Sequence, residues 1–225
     1  MSKRIQRQVK KSGVTAGAAA ESGSLLDQTV LVVNQKAKLF EVKADYAVFD
    51  KDGRRLGAVR EVGRNVMTKA VGITSDQSRS YRFQVVDTHG EVIMTMTRPT
   101  TLLKSKMTVR HRDGAMIGQI TQKTLGVLGR VRFDLEAEGS VLGSITADNW
   151  NAWDFSIQDS IGNEVGRVTK TWAGLSKEWF TKGDHYVVQI NENLTYPLRS
   201  LVVAAALAVD TALKQGESSG SRRHW

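Results

Sequence analysis

PLRSLVVAAALAVDTALK, residues 197–214, has the sequence features of a helix. Pro197 suits the first helical position, and Lys214 gives the last turn a basic residue. Every residue from Leu201 to Val209 is apolar, so no face of the segment can be offered to water. A helix that is apolar on all sides is either a membrane span or the centre of a fold.

The length of the apolar run decides between these two possibilities. A membrane span needs about 20 apolar residues, and this run has nine before Asp210 interrupts it. Its alanines keep it thin enough for strands to close around it. The sequence therefore predicts a buried central helix over residues 197–214. The side chains expected to fill the core from this helix are Leu201, Val202, Val203, Ala206, Leu207 and Val209.

A repeated pattern occupies the middle of the chain. Each copy has two apolar residues two positions apart, a short turn ending in glycine, and two more apolar residues, which in four of the five copies flank a second glycine. A glycine can adopt the left-handed conformation that closes such a turn, so each copy predicts a β-hairpin. The second glycine separates apolar residues by three positions, which predicts a bulge. The five turn glycines are Gly53, Gly90, Gly114, Gly139 and Gly162.

Further strands are predicted outside the repeats. Thr29–Val33 and Leu39–Val42 form an opening pair that brings the count to about twelve, and Tyr186–Ile190 leads into the helix. The predicted fold is mostly β: a closed, roughly twelve-stranded antiparallel barrel around the buried C-terminal helix. Closure would remove the exposed edges that such a sheet otherwise presents.

The positive charge of the chain lies partly near its ends. The net charge is +9; residues 1–26 contribute +4 and residues 215–225 contribute +1, leaving +4 for the remainder. Neither end segment has a sustained apolar period, so both are expected to be disordered tails around a barrel domain at 27–214. The tail cations that could attract anionic lipid are Lys3, Arg4, Arg7, Lys10 and Lys11.

Several kinds of chemistry have no support in the sequence. The chain has no cysteine, which excludes disulfides and thiolate metal sites. Its four histidines lack metal-ligand spacing, and neither a nucleophile elbow nor a phosphate-binding loop occurs. We therefore expect no enzymatic activity. Residues 13–20 are too weakly apolar for a signal-peptide core, so a cytoplasmic location is expected.

Three runs resemble the phospholipid scramblase and LURP-one-related family, whose fold is the tubby C-terminal-like barrel. They are VTKTWAGLSKEWFTKGDHYVVQI at 168–190, VDTHGEVIMTMTRP at 86–99, and the C-terminal helix with Arg199 at its start and Asp210 near its end. The resemblance covers about Gln28 to Leu213. It implies association with phospholipid, peripheral on the inner membrane surface.

The resemblance also brings a calcium site into question. Animal scramblases bind calcium through an acidic stretch that follows the Phe-Thr run. At the matching positions this chain offers only Asp184 and Glu192, whereas calcium takes several oxygen ligands with carboxylates among them. The sequence therefore argues against a calcium site, and no cofactor is expected.

Three functions follow as hypotheses. The leading one is a non-enzymatic, scramblase-like module that binds anionic phospholipid or docks at a membrane surface. The alternative is a protein-interaction or scaffold barrel without lipid activity, which the resemblance allows equally well. Nucleic-acid binding is disfavoured, because the barrel carries only +4 and has no basic-aromatic motif.

Overall fold

The computed structural model describes residues 24–34, 46–62, 81–99, 106–124, 131–148, 153–170 and 185–208. These residues form a closed barrel of twelve strands around one helix. The strands are β1 Val30–Asn34, β2 Tyr46–Phe49, β3 Arg55–Val62, β4 Tyr81–Asp87, β5 Val92–Arg98, β6 Lys106–His111, β7 Met116–Gln122, β8 Val131–Ala137, β9 Ser140–Ala147, β10 Asp154–Asp159, β11 Glu164–Thr169 and β12 His185–Ile190. A single 3₁₀ turn, Leu25–Asp27, precedes β1, and helix α1 begins at residue 198 and is described as far as residue 208.

Every strand pairs antiparallel with its sequence neighbours, and β1 closes the barrel on β12. At this seam Val30 lies opposite Gln189 and Asn34 lies opposite His185. The predicted closed barrel is confirmed, with one difference in how the count is reached. The predicted strand Leu39–Val42 lies outside the described residues, and the twelfth described strand is β12.

The five repeats form the hairpins β2–β3, β4–β5, β6–β7, β8–β9 and β10–β11. Their turn glycines all have positive φ, between 78° and 92°. In three turns an aspartate carboxylate accepts the backbone N–H groups two and four residues ahead, at 2.8–3.0 Å. These residues are Asp50, Asp87 and Asp159, so side-chain bonds to the backbone help to specify the turns.

The second glycine of the repeat serves close packing as well as the bulge. The β6–β7 register shifts between Val109 and Arg110, as the spacing predicts. A Cβ added at Gly118 on β7 would run into the carbonyl oxygen of Glu136 on β8 and press on the δ-carbons of Leu201 in α1. Glycine is therefore required where the sheet coils tightly around the helix.

Helix α1 is buried inside the barrel. Residues 200–208 are each 5% exposed or less, and the apolar side chains of the helix share one cluster with the inward-facing side chains of the strands. Ideal Cβ positions at Gly118 and Gly143, on β7 and β9, would lie 3.0 and 3.3 Å from Leu201 and Leu198. Five of the six predicted core residues of the helix are among the buried ones, and Val209 lies outside the described residues.

The start of β1, the end of β12 and the five hairpin turns all lie at one end of the barrel. All even-numbered strands run the same way, so the five hairpin turns lie where β2, β4, β6, β8 and β10 finish. Strand β12 also finishes there, and β1 starts there because it pairs antiparallel with β12. We call this the turn end: the five hairpin turns, residues 24–29, and residues 191–199 with the start of α1.

Candidate functional site at the turn end

The turn end is organised around Arg199, in the first turn of α1. The helix dipole disfavours a cation at this position, because unpaired N–H groups already make the N-terminus positive. The guanidinium must therefore find compensating negative charge elsewhere. It does so through main-chain carbonyl oxygens rather than a carboxylate.

Six carbonyl oxygens accept hydrogen bonds from this one side chain. Nε donates to Leu26 at 2.5 Å, and Nη2 donates to Asp27 and Gln28 at 2.9 and 2.8 Å. Nη1 donates to Asn191 at 3.0 Å and, more weakly, to Glu192 and Leu194 at 3.4 Å each. Carbonyl dipoles from two chain segments thus surround the guanidinium.

These bonds join the first and last strands of the barrel. Leu26 and Gln28 lie just before β1, whereas Asn191 directly follows β12. The seam between these strands is extended by a bond from the Ile190 N–H to the Thr29 carbonyl oxygen at 2.8 Å. Arg199 therefore ties the start of the central helix to the point where the barrel closes.

The two candidate calcium ligands are not brought together by the described structure. Glu192 is exposed in the loop between β12 and α1, where its main-chain carbonyl faces Arg199. Asp184 lies outside the described residues. Within the ranges that the structure describes, no group of three His, Asp or Glu side chains could hold a metal ion. The argument against a calcium site stays a prediction.

The basic tail meets the barrel at the turn end. Its five candidate cations, Lys3, Arg4, Arg7, Lys10 and Lys11, lie outside the described residues. The described chain starts at Ser24, whose hydroxyl accepts the Leu26 N–H at 3.3 Å. Leu25, at the boundary expected between tail and barrel, is 2% exposed and belongs to the core. The tail is thus attached to a firmly anchored residue.

Trp153 lies near the opposite end of the barrel, directly before β10. Its ring stands edge-on to Phe155, with centroids 6.2 Å apart, and is tilted against Tyr186 at 5.6 Å. The Lys170 ammonium lies 4.7 Å from the ring centroid. Trp153 therefore serves packing and a cation–π contact. Trp150, Trp172 and Trp179 lie outside the described residues.

The outer wall from β7 to β11 has its charges in ion pairs. Lys123 lies 3.5 Å from Asp134 and 3.3 Å from Glu136. Arg132 also contacts Asp134, at 2.9 Å. Hydrogen bonding to Glu136 raises the pKa of the Lys123 ammonium. Each of these cations is compensated on the same wall.

A second group of ion pairs lies on β10 and β11. Arg167 contacts Asp154 at 2.8 Å and Glu164 at 2.6 Å. The hydrogen bond from Arg167 lowers the pKa of the Glu164 carboxyl. These pairs leave little unbalanced charge on this part of the surface, so it is a poor candidate for attracting an ionic partner.

Sequence reasoning missed the part played by Arg199, although a signal was present. A basic residue in the first turn of an otherwise apolar helix is electrostatically unfavourable unless acceptors are supplied from elsewhere. The acceptors themselves could not be read from the sequence, because Leu26 precedes Arg199 by 173 residues.

None of the helices in the described ranges is long and apolar enough to span a bilayer.

The comparisons with known proteins agree on one family. The model of the family named Scramblase matches residues 13–213. A phospholipid scramblase family protein of Schizosaccharomyces pombe is 23% identical over 180 residues, which are 73% of this chain and 47% of that protein. The chain thus spans about half the length of that relative. Human phospholipid scramblase 1 is 22% identical over 88% of this chain and 66% of its own length.

Two further similarities extend the comparison. Altered inheritance rate of mitochondria protein 25 of Saccharomyces cerevisiae is 23% identical over 83% of this chain and 71% of its own length. Among solved structures, a protein from Arabidopsis thaliana aligns with a TM-score of 0.48 and 11% identity, over 82% of this chain and 93% of that chain.

Proposed function

The chain belongs to the Scramblase family, and from this premise we propose that it is a non-enzymatic module that binds anionic phospholipid at a membrane surface. Relatives named phospholipid scramblase in yeast and mammals support the lipid partner. The proposal places the protein peripherally, on the inner surface of a membrane, and assigns it no cofactor.

The burial of α1 is the observation that supports peripheral membrane association. The longest apolar run of the chain packs inside the barrel, with residues 200–208 at 5% exposure or less. Each large apolar side chain of this helix gains roughly 1.5–3 kcal/mol from burial, as an upper bound. Withdrawing the helix to insert it into a bilayer would empty the core. Membrane contact in this proposal therefore comes from the surface of the protein.

The basic tail supplies part of that contact. Residues 1–23 carry Lys3, Arg4, Arg7, Lys10 and Lys11 against a single Glu21, and they are attached to the turn end at Ser24. A cation close to an anionic membrane surface contributes about 1 kcal/mol. Held near lipid, five such residues would contribute several kcal/mol, and the attraction would weaken as salt screens it.

Flotation with liposomes tests the proposal. The full chain is mixed with phosphatidylcholine vesicles, with and without phosphatidylserine or cardiolipin, at low and high salt and with calcium or a chelator. We expect binding that requires anionic lipid, falls with salt and does not respond to calcium. No binding under any condition would contradict the proposal and would turn attention to the protein-interaction barrel.

The contribution of the tail is measured separately. Deleting residues 1–23 retains Ser24, so the bond to the Leu26 N–H is kept. A matched variant retains the tail length and replaces its five cations with glutamine. Both variants should float less than the full chain at low salt. Unchanged flotation of both would remove the tail from the proposal.

A further inference from the structure

The outer wall formed by β3–β6 differs in charge from the ion-paired wall of β7–β11. Phe83 and Val85 point into the core from β4, and Met107 and Val109 do so from β6. Alternate residues on a strand face opposite sides, so their neighbours point outward. Among the outward residues of these strands are four cations: Arg60 on β3, Arg82 on β4, and Lys106 and Arg110 on β6, the last of them beside the β6–β7 turn. We call these four residues the basic face.

No carboxylate within the described residues of β3–β6 points outward with them. The strands contain two acidic residues, Glu61 and Asp87. Glu61 lies opposite the inward-facing Phe83, and Asp87 lies at the turn, where its carboxylate accepts the backbone N–H groups of His89 and Glu91. The wall between the turns and the opposite end is therefore basic without compensation.

The strand register makes the basic face one continuous surface. Arg60 lies opposite Gln84, Gln84 opposite Thr95, and Thr95 opposite Arg110. At about 4.8 Å between strands, Arg60 and Arg110 stand about 14 Å apart. In the neighbouring row Arg82 lies opposite Thr97. Cations are thus separated by hydroxyl and amide side chains that can also donate hydrogen bonds.

The four cations have no acidic partner in the described part of the chain. Arg60 donates to the side-chain oxygen of Gln84 at 2.9 Å, and Arg110 donates to the main-chain oxygen of Gly114 at 3.0 Å. Both arginines keep further N–H groups for a ligand. Arg82, Lys106 and Arg110 are exposed, and Arg60 is partly exposed. The face is therefore available to an anionic partner.

We propose that the basic face is the surface that rests against the phosphate-bearing headgroups of an anionic bilayer. This inference rests on the proposed function and adds where on the barrel lipid is contacted. The tail joins the barrel before β1, two strands from β3. Nucleic acid fits less well, because the outward residues of β3–β6 include no aromatic side chain on which a base could stack.

Two triple variants of the full chain test the assignment. The face variant carries Arg60→Gln, Arg82→Gln and Lys106→Gln. The control variant carries Lys123→Gln, Arg132→Gln and Arg167→Gln, which removes the same charge from the ion-paired wall. Thermal unfolding and circular dichroism establish that both are folded. Flotation is then titrated with phosphatidylcholine vesicles that contain phosphatidylserine.

We expect the face variant to bind on the order of 100-fold more weakly than the full chain, at about fivefold for each cation removed from the surface. The control should lose much less. If both variants lose affinity equally, net charge alone governs binding and the face is overturned. If the face variant binds as tightly as the unmodified chain, the assignment of the basic face is refuted, whereas the proposed function stands.

Two more outcomes separate the remaining possibilities. Failure of the unmodified chain to float would overturn the proposed function, and this inference with it. A duplex DNA fragment is titrated in parallel under the same salt conditions. Loss of DNA binding in the face variant, together with unchanged flotation, would make the surface a nucleic-acid site and would refute the lipid assignment.

Discussion

Replacing Arg199 with methionine tests whether the carbonyl network at the turn end holds the barrel closed. Methionine keeps an apolar stem of similar reach but removes every donor. Four of the six bonds are 2.5–3.0 Å long and two are 3.4 Å. A net intramolecular hydrogen bond contributes about 1 kcal/mol, and the two long ones contribute little.

The expected loss of unfolding free energy is about 3 kcal/mol, because some of the released carbonyl oxygens can bond to water instead. The carbonyl oxygens of Asp27 and Asn191, for example, belong to exposed residues. For a chain of this size each kcal/mol lowers the melting temperature by about 2–4 °C, so the variant should melt about 6–12 °C lower. The melting temperature of Arg199→Lys should lie between those of the unmodified protein and Arg199→Met, since an ammonium has only three donors.

Arg167→Met is the matched control. Arg167 makes three hydrogen bonds of 2.6–2.9 Å, but their acceptors are the carboxylates of exposed residues on the outer wall. Exposed ion pairs contribute about 0–1 kcal/mol, so its melting temperature should fall by less than about 4 °C. Differential scanning calorimetry with a denaturant titration measures both. Equal shifts for the two variants would refute the special role of Arg199.

Three further predictions concern the core, a glycine and the response to pH. Ala206→Arg should yield no folded soluble barrel, since it would bury an unpaired charge; a folded product by circular dichroism would show that the helix is not central. Gly118→Ala should cost about 2 kcal/mol or more, because its Cβ meets the Glu136 carbonyl, whereas Gly114→Ala, in open space at φ +91°, should cost only about 1–2 kcal/mol; matching denaturation midpoints would contradict the close approach. Because the pKa of Glu164 is lowered in the fold, its stabilising contribution is present above the unfolded-state pKa of about 4.3 and is lost as the pH falls through the folded value. Glu164→Gln should therefore flatten the acid limb of a plot of melting temperature against pH, and an unchanged limb would refute the assignment.

The fold was predictable because its signals are local. The turn glycines, such as Gly53 and Gly90, report a left-handed backbone that few other residues adopt, and Asp50 and Asp87 bond to their own turns. The apolar run that begins at Leu201 indicates a helix that is buried on every side. Each signal lies within a few residues of the structure that it specifies, and together they define hairpins around a helix.

The surface features were not predictable because they depend on register and closure. Composition assigns the barrel a modest +4, which conceals a wall of paired charges and a wall of unpaired cations. Arg60 and Arg110 are far apart in sequence and come to lie in one row on one face only through the β3–β6 pairing. The carbonyl network of Arg199 likewise needs residues from both sides of the seam.

The seam between β1 and β12 also determines when the protein can fold during synthesis. Val30 pairs with Gln189, so the first strand has no final partner until nearly the whole domain has left the ribosome. At about 5–20 residues per second, this leaves β1 waiting for roughly 10–30 s. Through that interval the inner faces of the emerging hairpins lack the helix that will cover them. We therefore expect nascent chains to bind chaperones until α1 has left the ribosome, and we expect pairing of such high contact order to make completion of the fold slow.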